Sequence, residues 1–268
     1  MTDLFYDVSG TGPSLLLIPG GAGHPVGLDR MTEVLAARFT VVTYDPLGLA
    51  HGRLGQPVGE QRAEAWSDGA ARVLQQVLPE GESAYVLGIS AGGIAALDLL
   101  ARHPERLRHV VAHEPPCVNV LPDAARHRAM FLDVHDTYRA AGLEAAAARM
   151  SAGLAGREPE SGPEGQPLSP EAELANPMAL FLTRVLPRFT AYTPAEDAPY
   201  SRLTLTAGTD SRGQLLYRTA ELLAARTGSD FAEFPGGHLG ALEHPVAYAE
   251  RLTETLVPVG APGAPSTT

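Results

Sequence analysis

The sequence predicts an α/β fold with a mostly parallel central sheet flanked by helices and an inserted helical cap. Three observations lead there: short β-rich apolar runs recur along the chain, stretches with apolar residues at three- and four-residue spacing separate them, and the strand pattern stops over residues 115–199. Such alternation reads as parallel strands joined through helices, because a parallel neighbour is reached only by a long crossover. At 268 residues the chain is long enough to bury one full core.

The predicted strands are residues 15–18, 40–44, 85–89, 109–113, 203–207 and 231–234, and the predicted helices are 28–38, 60–78, 91–103, 213–226 and 242–256. Residues 4–8, turning through Ser9-Gly10-Thr11-Gly12, are expected to form a short hairpin that pairs antiparallel at one sheet edge. Ala-rich and Leu-rich segments at 123–140, 143–154 and 171–189 are expected to form the cap. The chain then divides into a core of residues 1–115 and 200–259, a cap of 116–199 and a disordered tail of 260–268. Residues 156–170, reading GREPESGPEGQPLSP, are too rich in Pro, Gly and Glu to pack and are expected to form a flexible loop.

Composition narrows the chemistry. All 20 basic residues are Arg, and a chain without Lys can form no lysine Schiff base and no Ser/Lys dyad. A net charge of −11 argues against nucleic acid or an anionic membrane as a partner, since both demand a basic face. Cys117 is the single cysteine, so no internal disulfide forms, and the first 20 residues lack the pattern of a secretory signal. No apolar run approaches the roughly 20 residues that span a bilayer. The expectation is a cytoplasmic enzyme.

The pentapeptide Gly88-Ile89-Ser90-Ala91-Gly92 follows an apolar run and opens a small-residue helix. This is the strand, turn and helix context of a G-x-S-x-G nucleophile elbow, where a serine sits in a strained turn and flanking glycines avoid collision with the neighbouring strand and helix. A serine hydroxyl needs a base, a carboxylate to orient that base, and N–H donors for the oxyanion. His238, in Gly236-Gly237-His238-Leu239-Gly240 after the last strand, is the candidate base. The oxyanion donors are expected to be the N–H groups of Ala91, which follows the nucleophile, and Gly21 in Pro19-Gly20-Gly21-Ala22-Gly23-His24. His109 and His113 lie four apart on a strand, a spacing that does not converge on a metal, so no metal is expected. The chemistry requires no cofactor.

Four motifs in this order resemble those of the α/β-hydrolase family: the Pro19-Gly20-Gly21 loop, Asp45-Pro46-Leu47-Gly48, the Ser90 elbow, and the Gly237-His238 loop followed by His244-Pro245. The resemblance implies an α/β-hydrolase fold along nearly the whole chain outside the tail and the variable cap. It also implies a catalytic acid, and here the chain departs from the common pattern. Family members usually place Asp three residues after the glycine that ends the strand following the cap, where this chain has Ser211 in Gly208-Thr209-Asp210-Ser211. A second family position, at the end of the strand before the cap, holds Glu114 between His113 and Pro115-Pro116. Glu114 is the first candidate and Asp210, which also suits a turn or helix N-cap, is the alternative. A Ser-His-Glu set of this kind resembles the lactonases that open resorcylic macrolactones such as zearalenone.

The expected function is hydrolysis of a small-molecule carboxylic ester or lactone, possessing a bulky apolar part, through an acyl-enzyme. Perhydrolase, C–C bond hydrolase or lyase chemistry, and a non-catalytic ligand-binding homologue, are the alternatives that the same scaffold allows. Substrate contacts are expected from His24, Phe131, Tyr138, Phe181 and Phe189, with His51 on a rim loop and Asp45 holding its own loop.

Overall fold

The computed structural model describes residues 4–23, 27–157 and 165–257. The strands Tyr6–Ser9 (β1), Ser14–Ile18 (β2), Thr40–Tyr44 (β3), Ala84–Ile89 (β4), Leu107–His113 (β5), Leu203–Gly208 (β6) and Asp230–Phe234 (β7) form one sheet in the order β1-β3-β2-β4-β5-β6-β7. Every pairing is parallel except β1 with β3, where Tyr6 stands opposite Tyr44.

This corrects the expected hairpin. The first strand is antiparallel and at the edge, but β1 does not pair with β2, whose two sides bond β3 and β4. The free side of β3 is left for it.

Residues alternate between the sheet's two faces, and both faces are apolar because helices cover each. Leu15, Leu17, Val41, Leu87 and Val111 share one buried cluster on one side with Met31 and Leu35 of Asp29–Ala36 (α1). Leu16, Ile18, Val42, Val86 and Val110 meet Ala63–Val77 (α2) and Ala91–Arg102 (α3) on the other.

Between β5 and β6 the described chain has helices and no strand. Ala124–Leu154 (α4) breaks at Gly142, whose φ of 82° and ψ of −170° end one helix and start the next between the two predicted segments. The helix expected over 171–189 is instead Pro170–Leu174 (α5), Pro177–Leu180 (α6), a wide turn at Phe181–Val185 and Leu186–Phe189 (α7). Asn176 accounts for the first interruption: its side chain accepts from the N–H groups of Met178 and Ala179 and starts a new helix at Pro177.

Leu215–Thr227 (α8) follows β6, and the helix expected over 242–256 divides into Gly240–Glu243 (α9) and Pro245–Leu256 (α10) at the proline. Tyr248, Ala249 and Leu252 of α10 complete the cover on the α1 side.

Of the loop expected over 156–170, residues 158–164 lie outside the described residues, as does the tail 260–268. Part of the rest does pack: a Cβ on Gly142 would lie 2.3 Å from the Gln166 carbonyl oxygen. Among the described residues no helix is long and apolar enough to cross a membrane.

Candidate active site

Ser90 follows β4 with φ 55° and ψ −118°, and α3 begins at the next residue. The left-handed turn is the cost of pointing a side chain out of a strand-to-helix corner. Ser90 makes no side-chain cap to α3, so its hydroxyl is not consumed there. Gly92 makes the corner possible, because a Cβ at this position would lie 2.2 Å from the Ile18 carbonyl oxygen and 2.3 Å from that of Pro19. The first turn of α3 thereby sits against the loop after β2, and a Cβ on Gly20 would lie 3.8 Å from Ser90 Cβ. Ala91 contributes the first N–H of α3, a donor with no partner inside the helix.

The sheet ladder continues past the strand ends. The Ser90 N–H donates to the His113 carbonyl at 2.9 Å, and the Glu114 N–H donates to the Thr206 carbonyl at 2.9 Å. Glu114 turns left-handed, with φ 43°, and its side chain is fully buried. Its Oε2 lies 2.8 Å from His238 Nδ1, while Oε1 accepts from the Gly208 N–H at 3.0 Å and from the Ser211 hydroxyl. Burial alone would raise the Glu114 carboxyl, but His238, His113 and the Ser211 hydroxyl together outweigh it and hold the group down at about 2.

His238 is carried by the turn after β7 and its side chain is 27% exposed. The end of β6 presses directly on that turn: a Cβ on Gly208 would lie 2.4 Å from the Gly236 carbonyl oxygen and 2.6 Å from Gly237 Cα. The Asp210 N–H donates to the same Gly236 carbonyl at 2.9 Å. The Asp210 carboxylate, in contrast, faces solvent, with Thr209 Oγ1 at 3.3 Å as its side-chain neighbour and no bond to His238 among the described residues. Nor does Asp210 cap α8, whose N-cap is Gln214.

The described residues show no hydrogen bond between Ser90 Oγ and His238. Catalytic hydrogen bonds of unliganded enzymes are often long and tighten around substrate. His113, the last residue of β5, is fully buried against the rings of Phe234 and Tyr248, 3.0 Å from Thr206 Oγ1. Burial pushes its imidazole down to about 4, so it stays neutral near pH 7 beside the Glu114 charge.

The expected substrate contacts separate. Phe131, Tyr138 and Phe189 are buried in the main core cluster; Phe189 packs on Trp66 with ring centroids 4.8 Å apart, and the Tyr138 hydroxyl donates to Glu173 at 3.1 Å. They pack the helical segment, because apolar helix periodicity marks a buried face without telling core from cavity wall. Phe181 is different: its ring lies against Gly21, where a Cβ would meet Cδ2 at 2.1 Å. His24 lies outside the described residues. Asp45 holds its loop, accepting from the Ala50 N–H at 3.0 Å and pairing with His51 at 2.9 Å.

Two surface grooves lie elsewhere. One of about 470 Å³ along α4 collects Arg126, Arg149, Arg157 and Arg218, and one of about 730 Å³ runs along α2 past Tyr44 and Trp66; neither is lined by Ser90 or His238. Sequence reasoning gave Ser211 no role and missed the Gly208 N–H. Their signal was present in the spacing of Gly208-Thr209-Asp210-Ser211, which put a hydroxyl where a carboxylate is common.

A family model described as the alpha/beta hydrolase family matches residues 15–251, a span that includes Ser90, Glu114 and His238. The chain belongs to the alpha/beta hydrolase family. This α/β hydrolase is 28% identical over 263 residues to an uncharacterized hydrolase, YraK, of Bacillus subtilis, with 95% of this chain and 92% of the relative covered. It is 26% identical over 256 residues to a zearalenone hydrolase of Cladophialophora bantiana, covering 94% and 91% of the two chains. Among solved structures, the enol-lactonase of Burkholderia xenovorans has the same fold, with a TM-score of 0.63, 16% identity and 94% and 96% of the chains covered.

Proposed function

We propose that this α/β hydrolase is a serine hydrolase acting on a carboxylic ester or lactone, with Ser90 as nucleophile, His238 as base and Glu114 as acid. The observation that carries the reading is the His238–Glu114 contact of 2.8 Å at the C-terminal end of the parallel strands, where Ser90 stands in a turn of positive φ. Ser90 Oγ attacks the carbonyl carbon while His238 Nε2 takes its proton, and Glu114 stabilises the imidazolium through Nδ1. The N–H groups of Gly21 and Ala91 receive the oxyanion. Collapse breaks the C–O bond, and the leaving alkoxide takes the proton from His238. Water, deprotonated by His238, then attacks the acyl-enzyme and frees Ser90.

The helices between β5 and β6 act in this reading as a cap over the site, joined to a core of 1–115 and 200–259. Phe181 supports that role, since it reaches from this segment to the proposed oxyanion loop at Gly21. The likeness to a zearalenone hydrolase favours a bulky apolar lactone over a small ester. A single cysteine, Cys117, which allows no internal disulfide, suits a cytoplasmic enzyme, and its buried thiol takes no part in the chemistry.

A panel of acetyl esters, long-chain or aryl esters, macrolactones and β-diketones tests the assignment. Turnover of bulky esters or lactones above acetyl esters is expected, with loss in Ser90→Ala. Turnover of the β-diketones alone would assign C–C bond hydrolysis instead.

A further inference from the structure

We infer that Ser211 is a positioning residue: its hydroxyl fixes the plane of the Glu114 carboxylate so that Oε2 faces His238. The inference rests on reading Glu114 as the acid of the proposed triad.

A Glu reaching from the end of β5 to a loop after β7 has three side-chain torsions to hold, and the last, about the bond to the carboxylate, is soft and roughly two-fold. One donor on one oxygen leaves that rotation free. Oε1 has two donors, the Gly208 N–H at 3.0 Å and the Ser211 hydroxyl, which approach from the tight turn that ends β6. With both in place the carboxylate plane is set, and Oε2 is directed to His238 Nδ1 at 2.8 Å.

The direction of the Ser211 hydrogen bond follows from counting protons. Its hydroxyl has one hydrogen and two neighbouring acceptors, Glu114 Oε1 and the Gly208 carbonyl oxygen at 2.9 Å. Donation to Gly208 would leave an Oγ lone pair facing an ionised oxygen. The carboxylate is the stronger acceptor and takes the proton. Ser211 is 3% exposed, so water does not compete for it.

This donation also draws charge toward Oε1 and weakens Oε2 as an acceptor for His238. The other titratable groups facing Glu114 are His113 on its own strand and Tyr248 on α10, both neutral near pH 7, and the Ser211 substitution alters neither.

Steady-state kinetics against pH for Ser211→Ala, Ser211→Cys and Glu114→Gln test the inference. Cysteine fills the site with a bulkier atom that donates only weakly, and alanine removes the donor without adding bulk, so the two together separate hydrogen bonding from packing. Both Ser211 variants are expected to lose about tenfold in kcat with KM unchanged, and to move the acid limb of the kcat/KM profile to higher pH. Wild-type kcat and profile in both variants, with Glu114→Gln inactive, would overturn the role of Ser211. A loss in the alanine variant alone would reduce that role to packing and equally overturn it. An active Glu114→Gln would remove the acid assignment itself, a separate failure.

Discussion

Ser90 and Glu114, with φ of 55° and 43°, are the non-glycine residues with positive φ among the described residues, and they follow adjacent parallel strands, β4 and β5. Left-handed backbone costs a non-glycine residue of the order of 1 kcal/mol or more and persists where the surroundings impose it. Here the imposing contacts are the ladder bonds from Ser90 to His113 and from Glu114 to Thr206.

Substitution of Ser90 by Ala is expected to lower turnover by about 10³-fold or more while the thermal unfolding midpoint stays close to wild type. The change removes one oxygen without adding bulk at the corner. A fluorophosphonate probe should label wild type at Ser90 and leave the variant unlabelled; labelling elsewhere with full activity in Ser90→Ala would exclude this nucleophile.

The two carboxylates predict opposite outcomes. Glu114→Gln should cost about 10³-fold or more in kcat, because a neutral amide neither stabilises the imidazolium nor selects the right tautomer. Asp210→Asn should stay within about twofold, as expected of a surface substitution away from such features. Parallel kinetics of the two variants decide between them.

Acid should weaken the fold through the same carboxylate. Glu114 is held at about 2 against an ordinary 4.5, so its contribution is complete above pH 4.5 and is lost as pH falls toward 2. The size is on the order of 3 kcal/mol by the linkage relation. His113, pushed down to about 4, acts in the same direction, its contribution fading from about pH 6.5 downward. Urea unfolding across this range should show a shallower fall below pH 4.5 in Glu114→Gln than in wild type; equal slopes would contradict the assigned charge.

Gly21→Ala should destabilise the protein by about 1 to 3 kcal/mol, because the new methyl group lands on the Phe181 ring. Phe181→Ala in the same chain should recover much of that loss. The pair is thus expected to be strongly non-additive in denaturant unfolding, whereas additive losses would mean that the ring does not rest on the glycine.

Much of this arrangement is legible in the chain because the deciding features are local. The elbow around Ser90, the glycine turn carrying His238 and the apolar runs of β2 to β7 each need a few consecutive residues. Partner choice is not local: nothing in residues 4–12 says that β3 rather than β2 supplies the edge. The acid stays ambiguous for the same reason, since Glu114 and Asp210 both sit at strand ends, and that the buried Glu114 side chain meets His238 while Asp210 faces solvent is settled by tertiary packing alone. Phe131, Tyr138 and Phe189 show the limit of periodicity, which reports that a face is apolar and not what lies against it.

Because Ser90 and Glu114 are each bonded to the strand beside them, their separation is fixed by sheet alignment. Sliding β5 by one residue along β4 would displace Glu114 by about 3.3 Å and turn alternate side chains to the opposite face. With Ser90 as the proposed nucleophile, reactivity there is expected to work as a register gauge. In a refolding experiment, the fraction of chains that react with an active-site label counts those whose central strands have locked in the native alignment, a quantity that helical circular dichroism does not report.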